Sequence, residues 1–354
     1  MKKIREKINV IDKNIVELLD RRAELVKKIS EVKRKERSPV FAPEREKAVF
    51  SRIMQFSEGL FPSESLKFIF REIISASILL EGAIKISYLG PEATFSHEAA
   101  ISRFGLSAKY FPCTDIEQVF SSVESDRTDL GVVPIENSTE GVINDTLDLF
   151  LDTKVRIVSE IVLNVHHHLL SREKSLSDIN KIYSHPYAIA QCKRWIKNNI
   201  DAEIIDVAST AKAAKLASEQ ECTAAIASIS AADIYHLNLI SSNIEDKKNN
   251  ATRFLVIGNF EAKPSGTDKT SILFSTKNRV GALYDSLSIF SRWGIDMTRI
   301  LSRPNHKDPW SYIFYIDCDG HINDENVKRA MKELEMQSRI FKHLGSYPVH
   351  KIEK

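Results

Sequence analysis

Four cysteines in 354 residues, at Cys113, Cys192, Cys222 and Cys318 and never in CxxC spacing, offer neither a disulfide framework nor a thiolate metal site. Reduced thiols in a cytoplasmic protein are the expectation. Neither sign of charge dominates: 50 basic against 48 acidic side chains leave a formal +2. That balance gives no argument for nucleic acid or a membrane surface, so an anionic substrate must be met by individual arginines and lysines. No apolar run reaches membrane-spanning length, and Met1-Lys-Lys-Ile-Arg-Glu has no signal-peptide core. What the chain does have is 43% hydrophobic residues and a length sufficient for two or three domains with real cores.

Ile4, Ile8, Ile11, Ile15, Leu18, Leu25, Ile29 and Val32 step by threes and fours with one seven-residue gap, which predicts one continuous amphipathic helix. The gap falls at Arg22, a cation where the pattern asks for an apolar side chain. Lys33 lies eleven residues on, about 20° around the helix, and shares that face. Cations on a buried stripe need an anion. Arg5 stands seventeen residues before Arg22, about 25 Å along the axis, too far for one small ligand to touch both from one helix. If all three serve such sites, Arg5 completes a neighbouring pocket in a second protomer, which predicts a dimer. Ser38-Pro39 ends the helix. Pro43 opens a second helix with Glu44, Arg45 and Glu46 in its first turn, and Ser63 caps a third, striped by Leu66, Phe70, Ile73, Ile74 and Ile78. Ser77 and Glu81 face one way at i,i+4. A helical dimerisation module with solvated charges accounts for Glu44 and Glu46, but not for Arg22 inside the stripe.

Strands alternating with helices follow and predict a mainly parallel sheet with crossover helices. Lys85-Ile-Ser-Tyr-Leu-Gly runs into a turn at Gly90-Pro91; helices are expected from about Ser96 to Phe104 and from Ile116 to Ser125. The central stretch is Gly131-Val-Val-Pro-Ile-Glu-Asn-Ser-Thr-Glu-Gly141: a buried-strand run to Ile135, then Glu136, Asn137, Ser138 and Thr139, then a helical period. Strand, polar turn, helix is where an α/β domain seats a ligand; on the local pattern alone an ordinary capped turn fits too. From about residue 170 the pattern restarts, with Ser184-His-Pro186, a helix near Ile189–Asn198, a strand at Glu203–Val207, Ser209-Thr210 at a helix start, and Phe254–Gly258 returning to the first lobe. His166-His167-His168 is not read as a metal site, because successive strand residues point to opposite faces. Its apolar flanks suit a strand or lobe hinge. Lys263-Pro-Ser-Gly-Thr-Asp-Lys269 is a linker, after which the expected order βαββαβ is ferredoxin-like.

Together Tyr88-Leu-Gly-Pro-Glu-Ala-Thr-Phe-Ser96, the Gly131 stretch, Ser184-His-Pro186 and Asn249-Asn-Ala-Thr-Arg-Phe254 strongly resemble prephenate dehydratase. The whole chain resembles the bifunctional chorismate mutase–prephenate dehydratases with a regulatory tail. The resemblance implies a multidomain chain: an all-α mutase domain over 1–84, a two-lobed α/β periplasmic-binding-protein-like dehydratase domain over 85–262, and an α+β ferredoxin-like ACT domain over 268–354. It implies no cofactor and no metal, chorismate and prephenate as substrates, L-phenylalanine as effector, and a homodimer or higher homo-oligomer. In the mutase, Arg5 and Arg22 would clamp carboxylates bidentately; Arg45, Glu46 and Ser77 also match substrate-binding positions, with Lys33 and Glu81 donating to the ether oxygen. In the dehydratase, Thr252 takes the donor role. Thr94, Ser96, Glu136, Asn137, Ser138, Ser184, His185, Ser209, Thr210, Arg253 and Phe254 would line the cleft. Arg253 holds a carboxylate or serves a structural ion pair, and Glu136 and Asn137 orient substrate or loop. Gly281, Ala282 and Leu283 with Ser302 and Arg303 match the effector motifs, Arg303 as a structural support. The chain departs from the family pattern at Ala42, Glu81, Ala93, Tyr187, Tyr284 and Leu301. A non-catalytic amino-acid sensor with a helical dimeriser is the alternative. A dehydrogenase partner is excluded by the lack of any GxGxxG after a strand.

A glutamate donates only when protonated. If Glu81 serves the ether oxygen, mutase activity should fall as pH rises, and Glu81→Gln should flatten the profile; an unchanged pH–rate curve in that variant refutes the role.

Overall fold

The computed structural model describes residues 1–36, 39–57, 59–305, 308 and 311–350. The expected stop at Ser38 lies outside these residues. Three helices open the chain: α1 (Lys2–Glu36), α2 (Pro43–Phe56) and α3 (Ser63–Glu81). Pro43 occupies the first turn of α2, where its missing N–H costs nothing. Ser63 is not the cap expected of it; Pro62 holds that position and Ser63 begins the helix. The face of α1 that packs on its own chain carries Arg22, Val26, Ile29, Ser30 and Lys33. The rest of its apolar stripe has no cover among the described residues: Ile4 is 64% and Leu18 62% exposed.

The middle of the chain builds two sheets. The first contains β1 (Lys85–Leu89), α4 (Phe95–Phe104), β2 (Lys109–Cys113), α5 (Ile116–Glu124), β3 (Leu130–Asn137), β4 (Gly141–Val142), α6 (Asn144–Asp152) and β5 (Arg156–Asn164). The chain then crosses at 165–167 into a second sheet. That sheet holds β6 (His168–Ser171), β7 (Lys181–Ser184), α7 (Pro186–Gln191), α8 (Lys193–Asn199), β8 (Glu203–Asp206), α9 (Thr210–Glu219), β9 (Thr223–Ala227), α10 (Ile229–Tyr235) and β10 (Asn238–Ser241). β11 (Ala251–Gly258) returns to the first sheet between β3 and β5, giving the orders β2-β1-β3-β11-β5 and β10-β6-β9-β7-β8. Two crossings make two lobes, and the histidine run sits at the first. The first sheet is mixed, not mainly parallel, because β11 pairs antiparallel with both neighbours. The helix expected near Ile189–Asn198 is two, broken at Cys192.

The C-terminal domain comprises β12 (Asp268–Thr276), α11 (Ala282–Arg292), β13 (Met297–Pro304), β14 (Tyr312–Asp319), α12 (Glu325–Gln337) and β15 (Ser338–Pro348), with strand order β13-β14-β12-β15. One sheet face buries Ile272, Phe274, Phe314 and Ile316 under its two helices. The other face sets Leu273, Ile313, Tyr315, Leu344 and Tyr347 against Val119, Phe150, Val155 and Ile157 of the first lobe in one continuous core. Both faces being covered explains why β14 reads as an unbroken apolar run. The helical domain is joined by Phe41, whose ring meets Phe104 at 5.1 Å, and by Lys47, which donates to Thr267 at 2.7 Å.

At Gly345 the β15 backbone crosses β5 so closely that a Cβ would overlap the Ile157 carbonyl, and φ is +155°. Gly345→Ala should therefore destabilise the chain by about 3 kcal/mol. Denaturant unfolding checks it, and a wild-type midpoint would contradict this docking.

Candidate active sites

Between the lobes lies a cavity of about 220 Å³. Its floor is a cross-strand pair, Asn137 of β3 opposite Thr252 of β11. The Asn137 amide donates to Thr252 Oγ1 and to Asn250 Oδ1, both at 2.8 Å. Its Oδ1 accepts from the Thr139 N–H and hydroxyl and from the Glu140 N–H. Asn137 is thus fully committed, while the Thr252 hydroxyl accepts a bond and keeps its own proton with no acceptor among the described residues. Asn250 donates to Gln191 Oε1 at 2.8 Å. His167 Nε2 reaches the same oxygen at 2.8 Å and, an amide oxygen being an acceptor only, must donate. His167 Nδ1 is then a bare lone pair, buried with no partner among the described residues. Burial lowers the pKa of this ring, which keeps it neutral. His185 caps α7, Ser209 caps α9, and Thr210 follows; all three line the cavity.

A second cavity, about 130 Å³, lies among the three N-terminal helices. Arg22 donates to the Ser77 hydroxyl. Lys33 pairs with Glu81 at 2.7 Å and donates to the Val40 carbonyl at 3.1 Å. Arg45 also lines the cavity. Burial first and the Arg45 charge second push the Arg22 pKa down, the signature of a guanidinium short of an anion. Ala42, at a position where the family pattern varies, lines the same wall. Arg5 is far up the exposed part of α1 and does not reach the cavity of its own chain.

Residues 86–262 match the family model described as prephenate dehydratase, and residues 4–82 the one described as chorismate mutase type II. The bifunctional chorismate mutase/prephenate dehydratase of Aquifex aeolicus is 48% identical over 353 residues, 98% of each chain. This chain belongs to that bifunctional family. Among solved structures, prephenate dehydratase in complex with L-Phe from Arthrobacter aurescens superposes with TM-score 0.69 at 32% identity, covering 75% of this chain and 90% of that one. GqqA, described as a novel type of quorum-quenching acylase, gives TM-score 0.69 at 30% identity, covering 75% and 98%. Among the described residues, no helix is long and apolar enough to cross a membrane.

Several positions that family resemblance assigns to the dehydratase cleft are placed elsewhere in this chain. Thr94 caps α4 and donates to the Leu89 and Pro91 carbonyls. Ser96 is buried in the first turn of α4 and does not line the cavity. Ser138 ties Asn249 to Ala251, and Ser184 donates to the Ile226 carbonyl at 2.7 Å. Phe254 is a core residue against Ile86 and Tyr88. Glu136 pairs with Arg299 of β13. Arg253 bonds Glu160 at 2.8 Å and Asp317 at 2.6 Å, so the ion-pair alternative holds and its guanidinium is turned away from the cleft. For Glu136 and Arg253 the reason is strand length. β3 runs to Asn137 and β11 starts at Ala251, so adjacent residues alternate faces where a turn was expected.

In the mutase cavity Glu46 lines the wall, but its carboxylate pairs with Arg103 of α4. In the C-terminal domain Gly281 sits at the α11 N-cap with φ +78° and open space around it, and Ala282 and Leu283 form the first turn. Ser302 lies on the exposed face of β13, while Arg303 points the other way and binds Asp148 of α6 at 2.5 Å.

Sequence reasoning passed over Gln191, His167 and Asn250. His167 stood in a run read as a hinge, and Gln191 is one amide in a six-residue helix; only the tertiary approach of four segments marks them. Cations absent from the cleft appear next door. A cavity of about 460 Å³ shares Glu140, Tyr187, Gln191 and Asn250 with it and adds Arg194 and Lys247. Asp246, beside them, is bonded to the Arg194 and Trp195 N–H groups. Neither the Arg194 nor the Lys247 side chain is paired among the described residues.

Burial alone would raise the Asp317 carboxyl, but Arg253, the Ser271 hydroxyl and Lys269 hold it below its usual value of 3.8. A depressed carboxylate contributes stability above its unfolded pKa and loses it as pH falls through the folded one. The stability gap between wild type and Asp317→Asn should therefore be constant near neutrality and narrow below about pH 4. Thermal melts of both from pH 7 to 3 measure it, and a pH-independent gap would refute the ionised pair.

Proposed function

We propose that this chain rearranges chorismate to prephenate in residues 1–84 and converts prephenate to phenylpyruvate, with loss of water and carbon dioxide, in residues 85–262. Residues 268–354 would form an ACT-type module that senses L-phenylalanine. The observation that carries the reading is the Thr252 hydroxyl. It is buried, held by Asn137, and keeps a proton to give to a group that enters the cavity between the lobes.

Dehydration of prephenate needs a donor to the departing hydroxyl while the ring aromatises as carbon dioxide leaves. A preorganised hydroxyl supports that without a strong acid, because the bond it makes strengthens as charge develops on the leaving oxygen. Arg194 and Lys247 replace Arg253 as the groups that meet the substrate carboxylates. Gln191, Asn250 and neutral His167 keep Asn137 in place.

The mutase step is pericyclic and needs only the reactive conformer and charge on the ether oxygen. Arg22 and Arg45 take the carboxylates, and Lys33 donates to the ether oxygen. Lys33 is paired with Glu81 at 2.7 Å, so substrate has to draw it away or share it. Arg5 comes from a second copy, whose α1 covers the uncovered stripe of Ile4, Ile8, Ile11, Ile15 and Leu18; a homodimer is part of the proposal. A cytoplasmic location accords with cysteines that are all free. L-Phenylalanine would sit at the open α11 N-terminus, where Gly281 leaves backbone N–H groups approachable.

Chorismate added to the purified protein should yield prephenate and then phenylpyruvate, less of the latter with L-phenylalanine present. Thr252→Ala should accumulate prephenate, with dehydratase turnover down by about 10²-fold or more and the mutase rate intact. Near-normal phenylpyruvate from that variant would overturn the assignment.

A further inference from the structure

The cross-strand pair beside the cleft has a neighbour. Where β3 and β11 pair, Asn137 stands opposite Thr252 and Glu136 opposite Arg253. Alternation sends the first pair into the cleft and the second to the other face. There the C-terminal sheet presents a matching rung: Arg299 of β13 stands opposite Asp317 of β14. Glu136 pairs with Arg299, and Arg253 pairs with Asp317 at 2.6 Å. Two rungs from two sheets thus face each other, each acid opposite a base, and two ion pairs join them.

These four charges are largely withdrawn from solvent. The side chains of Arg253, Asp317 and Arg299 are 14%, 11% and 16% exposed, and only Glu136, at 36%, reaches water appreciably. Arg299 Nε and Nη2 are both buried without a hydrogen-bond partner among the described residues, so Glu136 meets this guanidinium as a charge and not through a directed hydrogen bond. Glu160 joins at Arg253, 2.8 Å away, and is itself held by Lys269 at 3.2 Å. The register of β11 on β3 shifts between Arg253 and Phe254, so the two ion pairs sit where the ladder is irregular and the strand is least held by its own backbone bonds.

We infer that Arg299 and Asp317 are positioning residues for the dehydratase. They grip Glu136 and Arg253 and thereby set Asn137 and Thr252, one residue along each strand, at hydrogen-bond distance across the cleft. The inference rests on the proposed role of Thr252. It makes the C-terminal domain a structural part of the dehydratase site, not a tethered accessory. It also gives β13 a direct hold on the chemistry. On the face of β13 that carries Arg299, Arg303 binds Asp148 of α6, so the two cations hold both ends of the segment from Glu136 to Asp148.

The test is steady-state kinetics of the full chain with chorismate and with prephenate as separate substrates. Arg299→Gln should lower kcat for prephenate about ten- to a hundredfold with KM within about twofold, and leave mutase turnover unchanged. Arg299→Lys should recover part of the loss. The Glu136→Gln/Arg299→Gln double variant should be no slower than the slower single one, because the two act as one unit. Wild-type kcat in Arg299→Gln, or multiplicative losses in the double variant, would overturn the inference. So would equal loss of both activities in Arg299→Gln and Arg299→Lys alike, which marks general destabilisation. Wild-type turnover of prephenate and its loss in Thr252→Ala are read in the same assay. Failure there removes the reading of the cleft, whereas success there with an indifferent Arg299→Gln removes only the coupling.

Discussion

The register of β11 on β3 is the constraint on which the rest of this molecule depends. Because side chains on a strand alternate, the residues at 136, 137, 252 and 253 divide into a neutral pair on one face and a charged pair on the other. A slip of β11 by one residue would put the Arg253 guanidinium in the cleft and the Thr252 hydroxyl at the domain junction. Both faces would then be wrong at once, since the junction needs charges to answer Arg299 and Asp317 and the cleft needs a hydroxyl with a proton to give.

The same constraint explains how the domains are joined. The C-terminal sheet shares an apolar core with the first lobe, and Lys342 donates to the Phe150 and Leu151 carbonyls at the end of α6. Burial first, then Arg156, pushes the pKa of this lysine down, a cost offset by the bonds it makes at the helix end, where carbonyls lack partners. The helical domain is attached more lightly, through Phe41, the Glu46–Arg103 pair and Lys47. Its long first helix keeps an apolar stripe that no described residue of the same chain covers. The homodimer proposed above would give that stripe a use.

Much of this was legible in the residues themselves. Arg22, Lys33, Ser77 and Glu81 were brought together from helical spacing and resemblance, and they do share a cavity. Helical periodicity is local, so three amphipathic stripes dictate which side chains converge. The order βαββαβ was readable for the same reason: each element carries its own period and its own turn signals. The dehydratase cleft was harder. Asn137, His185, Ser209, Thr210 and Thr252 line it as anticipated, but Thr94, Ser96, Ser138, Ser184, Arg253, Glu136 and Phe254 make structural contacts instead. These residues sit in motifs, and a motif does not say which of its side chains faces the ligand.

Local pattern determined the three-part organisation, the helical cavity and the segments that meet in the cleft, because hydrophobic period and capping act over a few residues. Tertiary structure alone decided where β3 ends and β11 begins, and so which face each residue takes. It also recruited Gln191 and Asn250 to the cleft, set Arg194 and Lys247 in the cavity beside it, and matched two charged rungs across separate sheets. Those outcomes depend on pairings between segments 59 to 115 residues apart, which no local period records.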